Sequence, residues 1–240
     1  MDSVSRYASK HGIEYRVLTT PKLRIKPDPF MSNRSEESWK KHGGFLPIYE
    51  KENAFDLLDE YDQIAIIDAD IFIRDDAPNI FEDFGTEHEF GACIEREMPI
   101  TYEYQQKIIN YSRMQYSQLQ KEVDFKPNHL GYEFANMGMI LLNCAKFKPN
   151  LFGQTAYEFL NRSKYARFVN GEGAWKWSTD QTLLNFFIKD QFVTFKNMHW
   201  KWNGLYTANI KIEECHFVHF FLKDKLPKQG EDVKSLMGSI

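Results

Sequence analysis

The chain has 240 residues, a formal net charge of -4, 42% hydrophobic residues and 15% aromatic residues. This length can bury one large core, so we expect a single domain, and the absence of a long basic run argues against nucleic acid as a partner. No window approaches 18 apolar residues and the first residues contain no signal-peptide core, which predicts no membrane span and a cytoplasmic location. Cys93, Cys144 and Cys215 lack metal-ligand spacing and are interpreted as reduced thiols.

The first part of the chain predicts alternating helices and strands. The expected elements are a helix at 3–10, a strand at 13–19, a helix beginning at Ser35, a short helix at 54–58 and a strand beginning at Gln63. This order is typical of βαβ units. It predicts an α/β fold with a mixed, mainly parallel sheet and helices on both faces.

The remainder continues the pattern with one interruption. We expect a helical turn at 78–84, strands at 90–95, 133–143, 192–195 and 216–221, amphipathic helices at 151–160 and 180–188, and a polar tail after 223. The tyrosine-rich segment 102–120 shows weak helical periodicity and is interpreted as an excursion over the active face.

The segment QIAIIDADIFIRDD, residues 63–76, carries the main chemical signal. Its apolar start predicts a central strand covered on both faces, and Asp68 and Asp70 follow directly. Burying an unpaired carboxylate costs roughly several kcal/mol of folding free energy, unless the group becomes protonated. A divalent cation, Mn²⁺ or Mg²⁺, is the partner that such oxygen ligands prefer, usually together with substrate phosphates. The alternative is an ordinary Asp-rich turn.

Four segments in order resemble one enzyme family. YDQIAIIDADIFI, FANMGMILLN, STDQTLLNFF and HFVHFFLKDK, which together span residues 61–225, are similar to motifs of the GT-A nucleotide-sugar glycosyltransferases, in particular the retaining family 8 group. The resemblance implies a metal-dependent transfer of a sugar from a nucleoside diphosphate sugar, with UDP as the expected nucleotide. It also implies a nucleotide- and metal-binding half at 1–135, a donor-sugar and acceptor half at 136–225 and a tail at 226–240.

The resemblance also assigns roles to residues at matching positions. Asp68 and Asp70 would bind manganese with the donor diphosphate, and His219 would be the third metal ligand. The role of contacting the donor sugar would fall to Asn136, and Lys225 would contact the diphosphate. The remaining pair, Asp180 and Gln181, would lie beside the reacting carbon.

Two features depart from that family pattern. Leu222 stands where the family has a glycine, and no Pro-Trp pair follows Lys225. The family's first strand, which contributes to the nucleoside pocket, would precede Met1, so we expect base recognition from elsewhere or a longer chain. His216 competes with His219 as ligand, because residues three apart on a strand face opposite ways. The motif favours His219.

Several further residues are secondary candidates. Lys40 or Lys41 could reach the nucleotide or form a solvated helix face, and Trp175 or Trp177 could stack on an acceptor sugar or belong to the core. The candidates at Glu95, Arg96 and Glu97 could contact sugar hydroxyls or form a surface cluster.

Catalysis of such a transfer requires the leaving diphosphate to be stabilised by a divalent ion and a nearby cation, here Lys225 or Lys223. Asp180 could otherwise serve only as a helix cap. Two other functions stay open: a haloacid-dehalogenase-type phosphatase, which also has an apolar strand ending in Asp-x-Asp, and a non-catalytic nucleotide-sugar-binding protein with a transferase fold. The acceptor is expected to be a carbohydrate or another hydroxyl compound.

Overall fold

The computed structural model describes residues 2–28 and 33–220. Its α-helices are α1 (Asp2–His11), α2 (Asn33–His42), α3 (Ile80–Phe84), α4 (Tyr102–Leu119), α5 (Cys144–Phe147), α6 (Ala156–Leu160), α7 (Ala166–Asn170) and α8 (Asp180–Asp190). Its strands are β1 (Gln63–Ile67), β2 (Ile71–Ile73), β3 (Phe90–Ile94), β4 (Pro127–Asn128), β5 (Gly131–Tyr132), β6 (Ala135–Asn143), β7 (Phe195–Asn197), β8 (Gly204–Leu205) and β9 (Phe217–His219). Among the 3₁₀ helices are Pro47–Leu57, Glu95–Glu97, Lys148–Leu151, Ser163–Tyr165, Gly173–Trp177, Trp200–Asn203 and Ile212–Glu214.

The strands form mixed sheets. The largest has the order β1-β6-β3-β7, in which β6 pairs antiparallel with both β1 and β3, and β3 pairs parallel with β7. A second sheet has the order β2-β9-β8, and β4 with β5 forms a short hairpin. The expectation of a mainly parallel sheet was therefore wrong, because β1 and β6 run in opposite directions although helices separate them in the chain.

Helices cover both faces of the larger sheet, as expected. A Cβ on Gly91 would meet Phe84 of α3, whereas the ring of the preceding residue, Phe90, contacts Phe147 of α5 on the opposite face. Phe147 in turn contacts Phe187 of α8, with ring centroids 5.8 Å apart. All nine residues of β6 are buried, so this strand, not β1, is the covered central one.

β1 lies at the edge of its sheet and most of its residues are only partly buried. The prediction that this strand lies in the centre of the sheet was wrong, although the predicted start at Gln63 agrees with the structure. The segment 13–19 also forms no strand in the structure, and Val17 and Leu18 are exposed there. Alternation alone predicts an extended segment but does not supply a partner strand.

Two further segments differ from expectation. Residues 102–119 form an 18-residue helix, α4, capped by the side chain of Thr101. Its buried stripe includes Ser112 and Gln115, and these polar residues weaken the helical periodicity in the sequence. The strand predicted at 192–195 begins only at Phe195, because Phe192 lies in a left-handed conformation with φ 54°. The division into two halves at residue 135 stays a prediction.

No helix within the described residues is both long and apolar enough to cross a bilayer. The three cysteines are buried and form no disulfide, in agreement with their interpretation as thiols.

Candidate active site

The turn between β1 and β2 places the paired acids where the two sheets meet. The Asp68 backbone N–H donates to the carbonyl of Gly138 on β6, at 2.8 Å, and the Asp70 carbonyl accepts from Phe220 just beyond β9, at 2.9 Å. Ile71 is paired with His219 across β2 and β9. Backbone hydrogen bonds therefore fix the acids relative to both sheets.

Asp68, Asp70 and His219 come together at this point. One ligand atom from each lies within 4.8 Å of the others, and Nε2 of His219 is 3.3 Å from Oδ1 of Asp70. The imidazole is buried, whereas both carboxylates are partly open to solvent. Two carboxylates and one imidazole suit Mn²⁺, and Mg²⁺ would be held mainly by the carboxylate oxygens.

The glycine at 138 makes room for this imidazole. A Cβ there would lie 2.2 Å from Cε1 and 2.6 Å from Nδ1 of His219. No side chain beyond hydrogen fits without displacing the ring. The donor set and this space together fit a bound divalent ion.

His216 occupies a different environment. Its ring lies 4.8 Å from that of Trp202, and burial, followed by the nearby Lys201 charge, lowers the pKa of His216. Among the described residues it does not join the acids in a possible metal group.

Lys51 was missed by the sequence analysis and lies in the centre of the site. Its ammonium is 3.0 Å from Asp68 Oδ1, 2.8 Å from Asp180 Oδ2 and 2.7 Å from the carbonyl of Met137. Burial alone would lower the pKa of Lys51, but the charges of Asp180 and then Asp68 outweigh burial and raise it. Lys51 therefore stays charged and joins the metal-site acids to the start of α8.

A sequence signal for Lys51 did exist. It belongs to a charged triplet, Glu50-Lys51-Glu52, inside the 3₁₀ helix 47–57, and the apolar residues of this helix place the triplet close to the core. Burial raises the pKa of Asp68, and the Lys51 charge opposes that effect.

The start of α8 holds the two predicted catalytic residues. Thr179 caps the helix by accepting from the backbone N–H of Gln181, so Asp180 is not the cap and instead pairs, buried, with Lys51. Gln181 is partly exposed, and its Oε1 accepts from the Met137 backbone N–H at 3.4 Å. The first turn of α8 is thus attached to the entry of β6.

Asn136, also at the β6 entry, is buried and donates from Nδ2 to Glu95 Oε2 at 3.1 Å. Tyr104 of α4 donates to the other oxygen of Glu95. Burial raises the pKa of Glu95, and these two hydrogen bonds and the nearby His219 oppose the increase. Glu95 is therefore connected to the site through Asn136.

The other secondary candidates lie elsewhere. Arg96 is buried and donates to the carbonyls of Lys126 and Gly131, so it supports the β4–β5 hairpin. Glu97 accepts from the side chain of Asn197.

Lys40 and Lys41 form exposed i,i+4 ion pairs with Glu36 and Glu37 on α2. Lys225 and Lys223 lie outside the described residues. The roles proposed for these lysines stay predictions.

The tryptophans before α8 separate into two classes. Trp175 is buried against Phe168, with ring centroids 5.0 Å apart. Trp177 is 63% exposed, three residues before Asp180. Of this pair, Trp177 presents a ring that an acceptor sugar could contact.

A family model named "Glycosyl transferase family 8" matches residues 5–225. The chain belongs to glycosyl transferase family 8. It is therefore a glycosyltransferase with the GT-A fold expected from the motifs, and the phosphatase alternative was wrong. Among proteins of curated function, none matches the chain in sequence.

Several solved structures are distantly similar to this chain. Mouse xyloside xylosyltransferase 1 has 14% identity and a TM-score of 0.44, over 86% of this chain and 71% of its own. An active-site mutant of LgtC has 16% identity and a TM-score of 0.45, over 85% of this chain and 72% of its own. The bifunctional glycosyltransferase WbbM has 14% identity and a TM-score of 0.46, over 74% of this chain, which spans only 32% of WbbM.

Proposed function

We propose that this glycosyltransferase moves a sugar from a nucleoside diphosphate donor, UDP-linked, to a hydroxyl acceptor with retention of configuration and with Mn²⁺ or Mg²⁺ as cofactor. The observation that carries the proposal is the cluster of Asp68, Asp70 and His219, whose ligand atoms lie within 4.8 Å of one another. These three residues would hold the ion. When bound, the ion would stabilise negative charge on the leaving diphosphate as a Lewis acid.

Lys51 supplies a second positive charge beside the same acids. Its ammonium is held by Asp68 and Asp180 on a buried side chain, so its position is fixed before substrate arrives. A fixed charge in a partly desolvated site stabilises a developing anion more strongly than a mobile one in water. Lys51 therefore favours departure of the diphosphate.

Asn136 and Asp180 would orient the donor sugar, and Gln181 would lie near the reacting carbon. Asn136 and Asp180 are both buried, and Gln181 is attached to β6 through Met137. In the transfer, the bond from the anomeric carbon to the diphosphate oxygen breaks and a bond to the acceptor oxygen forms. The acceptor proton passes to the departing diphosphate. Trp177 offers a flat face for a carbohydrate acceptor, and a cytoplasmic location remains part of the proposal.

The test is incubation of the protein with Mn²⁺ and a panel of nucleotide sugars, with the release of nucleoside diphosphate measured for each. Water serves as the acceptor while the natural one is unidentified. We expect one UDP-sugar to be cleaved, with loss of activity in EDTA and in Asp68→Asn.

Asp62→Asn is the matched control, because Asp62 is an exposed acid just before the same strand. It should keep full activity. Saturable binding of a nucleotide sugar without any release would instead support the non-catalytic binder.

A further inference from the structure

A buried asparagine lies directly behind the proposed metal ligand His219. Asn203 ends the 3₁₀ helix 200–203, is fully buried, and leads into β8, which pairs with β9. Its Nδ2 donates to Asn136 Oδ1 at 2.8 Å, and its Oδ1 lies 3.0 Å from His219 Nδ1. One amide side chain thus contacts both a proposed donor-binding residue and a proposed metal ligand.

One backbone group determines the direction of the hydrogen bonds that link Asn136, Asn203 and His219. The backbone N–H of Gly138 can only donate, and it lies 3.0 Å from Asn136 Oδ1, which must therefore be the acceptor. The other end of the Asn136 amide, Nδ2, faces Glu95 Oε2, an oxygen that can accept. Asn136 is thereby oriented without reference to the histidine.

The orientation of Asn136 determines that of Asn203. Because Asn136 presents an oxygen, Asn203 must present its Nδ2 to it and its Oδ1 to His219. An oxygen at that position accepts a hydrogen bond, so Nδ1 of His219 carries the proton. In the neutral ring, Nε2 then carries the lone pair.

Nε2 is the atom that faces the acids, 3.3 Å from Asp70 Oδ1. A lone pair on nitrogen and a carboxylate oxygen at this distance repel each other unless a metal ion or a proton lies between them. The second nitrogen of a metal-bound histidine commonly donates to an oxygen that fixes the ring and its tautomer.

We propose that Asn203 is a positioning residue that holds His219 in the Nδ1–H tautomer, so that Nε2 is directed at the ion held by Asp68 and Asp70. The inference rests on the proposed function only for the identity of the ion. The tautomer itself is a property of the metal-free protein.

The first test is ¹⁵N NMR of the metal-free protein at a pH where the ring is neutral, with the His219 signals assigned by their loss in His219→Gln. We expect Nδ1 to show the shift of a protonated nitrogen and Nε2 that of an unprotonated one. The opposite pattern in the unmodified protein overturns the proposal, and this result does not depend on any Asn203 variant.

The second test compares three variants by the same spectrum and by titration of Mn²⁺ in the presence of UDP. Asn203→Ala removes the acceptor and should lose the Nδ1–H preference and weaken Mn²⁺ binding by about 10- to 100-fold. Asn203→Asp keeps an oxygen facing Nδ1, although it loses the hydrogen bond to Asn136 Oδ1, and should retain the tautomer. Asn209→Ala, at another buried asparagine that contacts Cys215, is the control and should change neither.

Two outcomes separate this inference from the proposed function. If Asn203→Ala changes the tautomer but the unmodified protein binds no Mn²⁺, the positioning role stands and the metal site in the proposed function falls. If Mn²⁺ binding depends on His219 and Asn203→Ala leaves both tautomer and affinity unchanged, the positioning role is wrong.

Discussion

Glu52 is a buried acid whose replacement should stabilise the protein at neutral pH. Its side chain is 1% exposed, and no other residue among those described donates a hydrogen bond to either carboxylate oxygen. Burial, followed by the negative charge of Asp180, raises the pKa of Glu52 well above its ordinary value of 4.5, although Lys51 opposes this. The raised pKa favours the neutral acid in the folded state, so the folded chain binds this proton more strongly than the unfolded chain.

The sign and size of the effect follow from this difference in proton binding. The stability contributed by protonated Glu52 is fully present below pH 4.5 and is lost as the pH rises towards the raised pKa of the folded state. One proton corresponds to about 1.4 kcal/mol of unfolding free energy per pH unit. Glu52→Gln has no such proton, so between pH 5.5 and 7.5 the variant should gain up to about 2.7 kcal/mol relative to the unmodified protein.

The assay is urea unfolding followed by tryptophan fluorescence at pH 5.5, 6.5 and 7.5. Other titrating groups are common to both proteins, so the difference between the two curves reports Glu52 together with the charges coupled to it. Glu87→Gln, at an exposed glutamate, is the control and should leave the pH dependence unchanged. Parallel stability curves for Glu52→Gln and the unmodified protein would refute the assignment of a buried neutral acid.

Three further predictions concern the site. Lys51→Met leaves two acids without their shared positive charge and should lower the free energy of unfolding, measured in urea, by about 3 kcal/mol. The control Lys40→Met, on an exposed helix face, should change it by less than about 0.5 kcal/mol. Equal effects of the two substitutions would contradict the charge arrangement of the site. His216→Ala should keep Mn²⁺ affinity in calorimetry and His219→Ala should lose it, and the reverse result would move the ligand. Gln181→Ala should reduce turnover far more than donor affinity, and NMR of the first product from an α-linked donor should show an α linkage, with a β linkage refuting retention.

The sequence predicted that Asp68, Asp70 and His219 lie together, because the signals that single them out are local, and their role as metal ligands stays a prediction. Asp68 and Asp70 follow an apolar strand, and His219 closes a strand whose motif also resembled the family. The structure places these three together. In contrast, the partner of Asp68, Lys51, lies 17 residues earlier in a 3₁₀ helix, and its charged triplet does not show that this lysine reaches Asp68.

Strand direction was predicted less well than strand position. The bounds of β6 were close to expectation, but its antiparallel pairing with β1 depends on how 67 intervening residues cross the sheet. Side-chain alternation is the same for parallel and antiparallel strands, so it carries no such information. The hydrogen bonds of Asn203 are similarly invisible in sequence, because they join residues 16 and 67 positions apart.

The most direct test of metal-dependent donor binding is calorimetric titration of UDP into the protein with and without Mn²⁺, for the unmodified chain, Asp70→Asn and the Asp62→Asn control. Binding should require Mn²⁺, should weaken at least about tenfold in Asp70→Asn, a loss of about 1.4 kcal/mol, and should be unchanged in Asp62→Asn. Equal affinity for UDP with and without Mn²⁺ in the unmodified protein, or undiminished Mn²⁺-dependent affinity in a folded Asp70→Asn variant, would contradict the account.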